Sequence, residues 1–477
     1  MLFYGMRSLP RRFRLILHSL QQSDSLPFSD ALTEEQIEGT FEEEGACYDD
    51  EDQVFTPAIT LWAFLSQALH KGEHRSCLAA VARIGVLLVA LGRPRCAQNS
   101  GPYCRARGRL PLAVIERLTC EVARRCEREV PDAWLWNSRH VKLVDGTTVT
   151  MADTEENQEA FPQQSCQKEG LGFPIARLVV LLSLATAMIT GMAMARYSGK
   201  ETGELALLRE LFDQLDPNDV VLADKLYCSY FTVAMLAERQ VDMVVCLHHL
   251  RKEHVAGRQR LGKGEWLITW PKPDRPAWMD KETYARMPKT LQLRRIHVAV
   301  AERGFRTRSL DIVTTLLDTE RYTRQEIAQL YRGRWLVEID IRAIKSTMGM
   351  DVLRCKSPQM IRKEIWTCLL AYNMIRQKIL QSAFEQDISP RAMSFTNALQ
   401  MIAAAWMVMP LLDRQTSRVL LSMEVEKMAN QTVGNRPGRV EPRAVKRRPK
   451  PYRLLTMVRA AAQALLRRGI DPYKKQK

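Results

Sequence analysis

Four residues able to handle a phosphate or a metal ion stand close together: Tyr331, Arg334, Glu338 and Lys345. They are three, four and seven residues apart. On an α-helix, at about 100° per residue, they fall within an arc of roughly 60°. A carboxylate is then held among two cations and a phenol on one rigid face. The same types also make an ordinary surface ion-pair network, and Arg334, Glu338 and Arg342 alternate in sign at i,i+4 as such a network does. The helix that must carry them runs from about Thr323 to Gly349. Thr323 and Glu326 are spaced as a capping box, and no Pro interrupts the chain from there to Gly349. Leu330, Val337, Ile341, Ile344 and Met348 recur at helical spacing, which predicts a buried face beside the charged one.

Two further carboxylates sit where an α/β sheet places its chemistry. Asp145 ends an apolar strand, His140 to Val144, and Asp224 ends a second one, Asp219 to Ala223, with VVLA at its core. Ligands bind at strand ends in open α/β sheets, although an Asp there also serves as a turn residue or helix cap. Asp145, Asp224 and Glu338 together are hard oxygen donors of the kind Mg²⁺ takes. Phosphodiester cleavage must stabilise an attacking and a leaving oxygen, which two ions about 3.5–4 Å apart can clamp. The expected cofactor is therefore two Mg²⁺, with Mn²⁺ as a substitute, held by these three acids. No His or Cys cluster with metal spacing competes. His248 and His249 follow a strand and read as structural, and GLGFP at Gly170 to Pro174 is too short for a nucleotide-binding glycine loop.

Tyr, two residues, Arg, three residues, Glu, six residues, Lys resembles the signature around the third acid of the IS4-type insertion-sequence DDE transposases. The flanking LYRGRWLVEIDIRAIKSTMGMDVLRCKSP and LLAYNMIR are similar to the same family, as are VDGTTVTMADTEENQ, QKEGLGFPIARLVVLLSL and LADKLYCSYF. The resemblance runs from roughly Arg139 to Tyr452. It implies an RNase H-like catalytic core with Asp145, Asp224 and Glu338 as its acidic triad. It also implies that Arg334, Trp335 and Lys345 grip the transposon-end backbone beside the scissile phosphate, with Tyr331 donating a hydrogen bond to a phosphate. The implied partners are DNA, as terminal inverted repeats and target, and a second copy of the chain in the DNA complex. One departure is Lys225, where relatives often carry Arg: charge is kept, bidentate phosphate geometry is not.

The elements around these residues divide the chain. Residues 1–130 read as a helical N-terminal region with possible DNA binding. Helical periodicity runs from Pro57 to Leu91 and from Leu112 to Arg128, and Arg93, Arg95, Arg105, Arg107 and Arg109 crowd one connection. Residues 131–249 and 307–352 form the two parts of a mixed-sheet α/β core. The 113 residues between Asp224 and Glu338 exceed what the core needs, so 250–306 reads as a β-rich insertion with strands near Glu265 to Trp270 and Leu291 to Val300. Trp266, Trp270 and Trp278 there suit either packing or base stacking. The resembling transposases carry a β-rich insertion here, and some use an aromatic in it to hold a flipped base. Residues 353–430 read as a C-terminal helical region and 431–477 as a basic tail.

Charge points the same way. The 477 residues carry a net +16 and a pI near 9.4, which suits a polyanionic partner. Asp24 to Asp52 holds twelve acids and no Lys or Arg, while Gly434 to Lys477 holds fourteen Lys or Arg and two acids. Lys446, Arg447, Arg448 and Lys450 lie in that Pro-broken tail, where they suit phosphates rather than bases. Eleven scattered cysteines with no C-x-x-C suit a reducing cytoplasm, and the expected place is bacterial cytoplasm on the nucleoid. Leu178 to Ala195 has no charge, but its β-branched residues read as two strands with a turn near Ala187 to Gly191, not as a membrane span. The expected activity is Mg²⁺-dependent cutting and joining of DNA. Two alternatives stay open: a transposase-derived DNA-binding protein without catalysis, and an RNase H-like nuclease.

Overall fold

In the computed structural model, described residues are 54–55, 57–90, 96–248, 257–300, 309–408, 412, 414–434 and 454–473. The acidic stretch 24–52 and Lys446, Arg447, Arg448 and Lys450 lie outside them. Of the first helices, α1 spans Pro57–Ala68 and α2 Cys77–Ala90. The sequence predicts one run here. Gly72 at φ 58 instead turns the chain through a short 3₁₀ segment, Gly72–Arg75. Helix α3 (Gly101–Arg109) occupies part of the predicted connection, and α4 is Leu112–Arg128. Of the arginines of that connection, Arg93 and Arg95 lie outside the described residues and the other three differ in exposure. Arg105 and Arg109 are exposed, but Arg107 is largely withdrawn beneath the rings of Phe64 and Tyr103.

The described strands make one nine-stranded sheet in the order β3-β2-β1-β4-β5-β9-β8-β7-β6. β1 (Val141–Thr150), β2 (Ile175–Ser183) and β3 (Ile189–Arg196) form an antiparallel meander. Helix α5 (Glu155–Ala160) lies in the β1–β2 connection. The uncharged run Leu178 to Ala195 is thus the β2–β3 hairpin, turned at Ala187 with φ 60. Among the described residues no helix is long and apolar enough to cross a membrane. Helix α6 (Glu204–Glu210) leads to β4 (Val220–Ala223), and α7 (Tyr230–Glu238) to β5 (Asp242–Cys246). β4 and β5 run parallel to β1, in the centre of the sheet, and β4 is apolar and buried throughout. This mixed α/β sheet, with its order 3-2-1-4-5, is the RNase H-like core expected from the sequence.

The expected β-rich segment extends this same sheet. β6 (Gly257–Gly262), β7 (Glu265–Pro271), helix α8 (Lys281–Arg286) and β8 (Thr290–Ala299) lead to β9 (Ser309–Thr314). β9 pairs antiparallel with both β8 and β5, which joins the added strands to the core. Trp270 is buried in the apolar layer on this side, and Trp278 packs edge-on against Phe231 with Arg209 over its face. Those two are packing residues. Trp266 is half-buried with the Arg258 guanidinium 4.1 Å above its ring.

The stretch expected as one helix from Thr323 is segmented. Helix α9 (Arg324–Arg332) begins with the predicted capping box of Thr323 and Glu326. A 3₁₀ turn, Gly333–Trp335, comes next, then α10 (Leu336–Arg342) and a π-turn, Ala343–Thr347. Gly333 is a weak helix former, and a Cβ there would meet the Leu184 side chain at 3.5 Å. The predicted apolar face survives: Leu330, Val337, Ile344 and Met348 are buried. Helix α11 (Pro358–Glu385) then runs through the core, followed by α12 (Phe395–Ala405), α13 (Arg414–Ala429) and α14 (Arg459–Arg467). Asn373 of α11 fastens it to the sheet. Its amide accepts from Ile189 N and donates to Ile189 O and to Thr119 O of α4, all at 2.9 Å.

Candidate active site

β1 and β4 run side by side only as far as Leu143 and Leu222. One further step of the same register sets Val144 beside Ala223, and the next sets Asp145 beside Asp224. Here the strands part: β4 ends, while β1 continues along β2 to Thr150, which also bridges to Val352. A crevice therefore opens at the strand ends with an Asp on each wall. The Asp224 carboxylate also caps the adjoining turn, accepting from Leu226 N at 2.7 Å. The turn-cap reading of a strand-end Asp is the one observed for this residue.

Helix α10, which carries Glu338, packs against β1, the strand that carries Asp145. The Glu338 carboxylate is half-exposed and held by Arg334 at 3.0 Å. Arg334 is also the cation that acts most on Asp145. One guanidinium thus stands between the helix carboxylate and the strand carboxylate. Tyr331 is buried, with its hydroxyl near Cys246 and its phenol raised well above the usual range, first by burial. Trp335 is 48 % exposed, with the Arg334 guanidinium 4.7 Å from its ring centre. Lys345 is not free at the surface. Its amino group donates to Thr148 O at 2.6 Å and to Thr147 Oγ1 at 3.1 Å, which braces the π-turn against β1, and burial lowers its pKa.

Burial is the main reason that the Asp145 carboxyl is pushed up to about 6; repulsion from Asp224 and from Glu204 adds to it, and Arg334 opposes it. Desolvation outweighs the repulsion among the clustered acids here. The second neighbour is a residue that sequence reasoning missed. Glu204, first residue of α6, lies directly over Gly146; a Cβ there would come within 2.2 Å of its carboxyl carbon. Tyr227 also reaches Glu204, its hydroxyl 3.1 Å from Oε2. The one sequence signal was the glycine after Asp145, which leaves room for a carboxylate to approach.

The sign of the Asp145 shift gives a test. A carboxyl with a raised folded pKa carries no penalty below its unfolded pKa, near 3.9. The penalty grows as pH rises through about 6. Asp145→Asn should therefore raise the thermal midpoint of metal-free protein at pH 8, with the gain vanishing by about pH 4. A gain that does not depend on pH would show that the carboxyl is not the source.

The donor set fits a hard divalent ion in kind: three oxygen-bearing acids, two of them on adjacent strand ends. The fit in position is incomplete. Among the described residues no three His, Cys, Asp or Glu side chains converge closely enough to hold an ion. Glu338 is turned to Arg334 and must exchange that partner to join the two aspartates.

The transposase DDE domain family matches residues 136–374, the span from before β1 into α11. The transposase InsG for insertion sequence element IS4 of Escherichia coli (strain K12) is 27% identical over 407 residues, 83% of this chain and 86% of that protein. The putative transposase InsL for insertion sequence element IS186A of the same organism is 32% identical over 81 residues, 17% of this chain and 21% of that protein. A piggyBac transposase in a synaptic complex with hairpin DNA aligns with a TM-score of 0.40 at 9% identity, covering 87% of this chain and 84% of that one. With the matched domain spanning half of the sequence and enclosing all three acids, the chain belongs to the IS4-type DDE transposases, enzymes that act on DNA with a divalent metal.

Proposed function

We propose that this transposase cuts the terminal inverted repeats of its insertion sequence and joins them to target DNA, with Asp145, Asp224 and Glu338 as catalytic metal ligands. The observation that supports this most is the placement of Asp145 and Asp224 on adjacent strand ends, with Arg334 linking Asp145 to Glu338. Mg²⁺ is the ion we infer, because the ligands are carboxylates alone. When bound, the ions supply charge neutralisation at the phosphate and a deprotonated attacking oxygen.

The remaining work falls to this chain's own side chains. Asp145 is half of the strand-end pair, and its carboxyl, pushed up to about 6, is more fully ionised once a cation sits beside it. Arg334 holds Glu338 until the substrate arrives; a DNA phosphate then offers the guanidinium a bidentate partner and releases the carboxylate. Trp335 presents an exposed ring beside Arg334 for contact with the end backbone. Tyr331 is buried with its hydroxyl beside Cys246; in this reading it exchanges that partner to donate to a phosphate and needs no covalent role. Lys345 serves the same end by bracing the π-turn and by bringing a cation to the rim. Residues 250–306 serve as an insertion on the core of 131–249 and 307–352, flanked by helical regions 1–130 and 353–430 and the tail 431–477. A homodimer on the DNA and a nucleoid location belong to the same proposal, and the net charge of +16 suits the DNA partner.

The deciding experiment is nicking of a duplex that carries an element end against a duplex with that end scrambled, with and without Mg²⁺. Cleavage confined to the true end and dependent on metal supports the reading. Binding of the true end with no cleavage favours a transposase-derived DNA-binding protein. Equal cutting of RNA–DNA hybrids of any sequence favours a nuclease. The tail makes a separate prediction. Replacing Lys446, Arg447, Arg448 and Lys450 together by Ala should weaken binding to all DNA sequences and reduce the slope of log affinity against log salt by about 3–4. An unchanged slope would remove the tail from the interface.

A further inference from the structure

Away from the crevice, a cavity of about 200 Å³ lies where α1, the 3₁₀ turn before α2, and α3 meet α11. Three arginines line it, Arg75, Arg107 and Arg354, against one carboxylate, Glu364. Glu364 is already committed. It pairs with Arg75 at 3.3 Å and accepts from the backbone N–H groups of Arg354 and Cys355 at 2.9 Å. Arg107 has no carboxylate within ion-pair distance among the described residues. Its NH1 reaches Gln67 Oε1 at 3.3 Å, an oxygen that already accepts from the Tyr103 hydroxyl at 2.7 Å. The thiols along this wall, Cys77, Cys355 and Cys368, are all shifted upward by burial, so they stay neutral and do not offset the arginines.

Two buried donors add to the imbalance. Arg107 Nε and Thr367 Oγ1 have no protein hydrogen-bond partner, and Thr367 is fully buried on α11 with its side chain lining the cavity. A buried cation with no carboxylate in direct contact and a buried hydroxyl without a partner are each costly unless something fills the space between them. Arg354, 41 % exposed with only a 3.8 Å contact to the exposed Glu73, closes the rim and can swing inward.

We propose that this cavity is a binding site for a tetrahedral oxyanion of the phosphate class, held by Arg107, Arg354 and Thr367. The size accommodates such an anion, three arginines line the space against the single lining carboxylate Glu364, and Arg107 and Thr367, each with an unpartnered donor, are among the lining residues. The site also reaches the catalytic region. Arg75, on its wall, donates to Gly349 O and the neighbouring Lys71 to Ser346 O, at the end of the segment that carries Glu338. A bound anion therefore steadies the far end of the catalytic helix.

The test is equilibrium dialysis of labelled inorganic phosphate against the full chain, at constant ionic strength in chloride. One site per chain is expected. Thr367→Val keeps the shape and removes an unpartnered hydroxyl, so the variant should fold at least as stably and bind phosphate about tenfold more weakly, as should Arg354→Gln at the rim. The four-residue tail variant should keep the site. Saturating duplex DNA separates two sources of the same chemistry: displacement of phosphate assigns the site to a DNA backbone phosphate, and undiminished binding assigns it to a free ion. Binding no tighter than that of chloride, or equal binding in the Thr367→Val and Arg354→Gln variants, overturns the proposal.

Discussion

Glu338→Gln is expected to slow end cleavage by about 10³-fold or more, the scale of losing one member of a catalytic set. End binding should stay within about twofold, because affinity rests on cations that the change leaves in place. The amide keeps the size of the side chain and can still accept from Arg334, so the fold is not at risk. What is lost is the charge on the oxygen donor that the proposed site requires from this helix. The Arg334 contact adds a second expectation. Arg334→Gln frees the Glu338 carboxylate and removes the cation that offsets Asp145. Metal binding without DNA should then rise or hold, while cleavage falls through loss of the phosphate grip. Rapid-quench cleavage with parallel Mn²⁺ titration measures both. Cleavage by Glu338→Gln at near the parent rate would sink the assignment of that acid.

The features legible in the sequence are local. The capping box at Thr323 and Glu326 is a four-residue pattern, and it forms as predicted. Strand-end aspartates follow from apolar runs that stop abruptly, and both stand at the opening between β1 and β4. The features hidden from the sequence are tertiary. The pairing of β9 with β5 depends on strands 65 or more residues apart, so the insertion reads as a separate piece when it is a continuation of the sheet. Glu204 reaches Asp145 across Gly146 only once α6 has packed on the meander. The helix periodicity at Tyr331 to Lys345 is real, but it cannot reveal the 3₁₀ and π segments that interrupt the helix. For that reason Lys345, an outward cation on a helical wheel, is tied instead to Thr147 and Thr148.

Asp340→Ala is expected to cost about 3–5 kcal/mol of stability, the usual penalty for removing one partner from a buried ion network. Asp340 lies two residues after Glu338 on the opposite side of α10 and is fully buried. Its carboxylate receives Arg376 NH2 of α11 at 2.8 Å and Arg391 NH1 at 3.0 Å. Arg391 reaches on to Ser183 O and Leu184 O at the end of β2, and Arg376 to the Tyr372 hydroxyl, which in turn donates to Ala187 O. Without Asp340, two guanidinium groups stay buried with no countercharge. Such a network adds little net stability over apolar packing, so its consequence lies in placement: it fixes one face of a short helix to the β2–β3 turn while the other face offers Glu338 to the crevice. The urea midpoint measures the first effect. The second is read at a temperature where the variant is still folded: Mg²⁺-dependent cleavage should fall well below the parent rate although every acid of the site is present. A variant that loses under about 1 kcal/mol and cuts normally would show that the apolar face alone is enough to hold the catalytic helix in place.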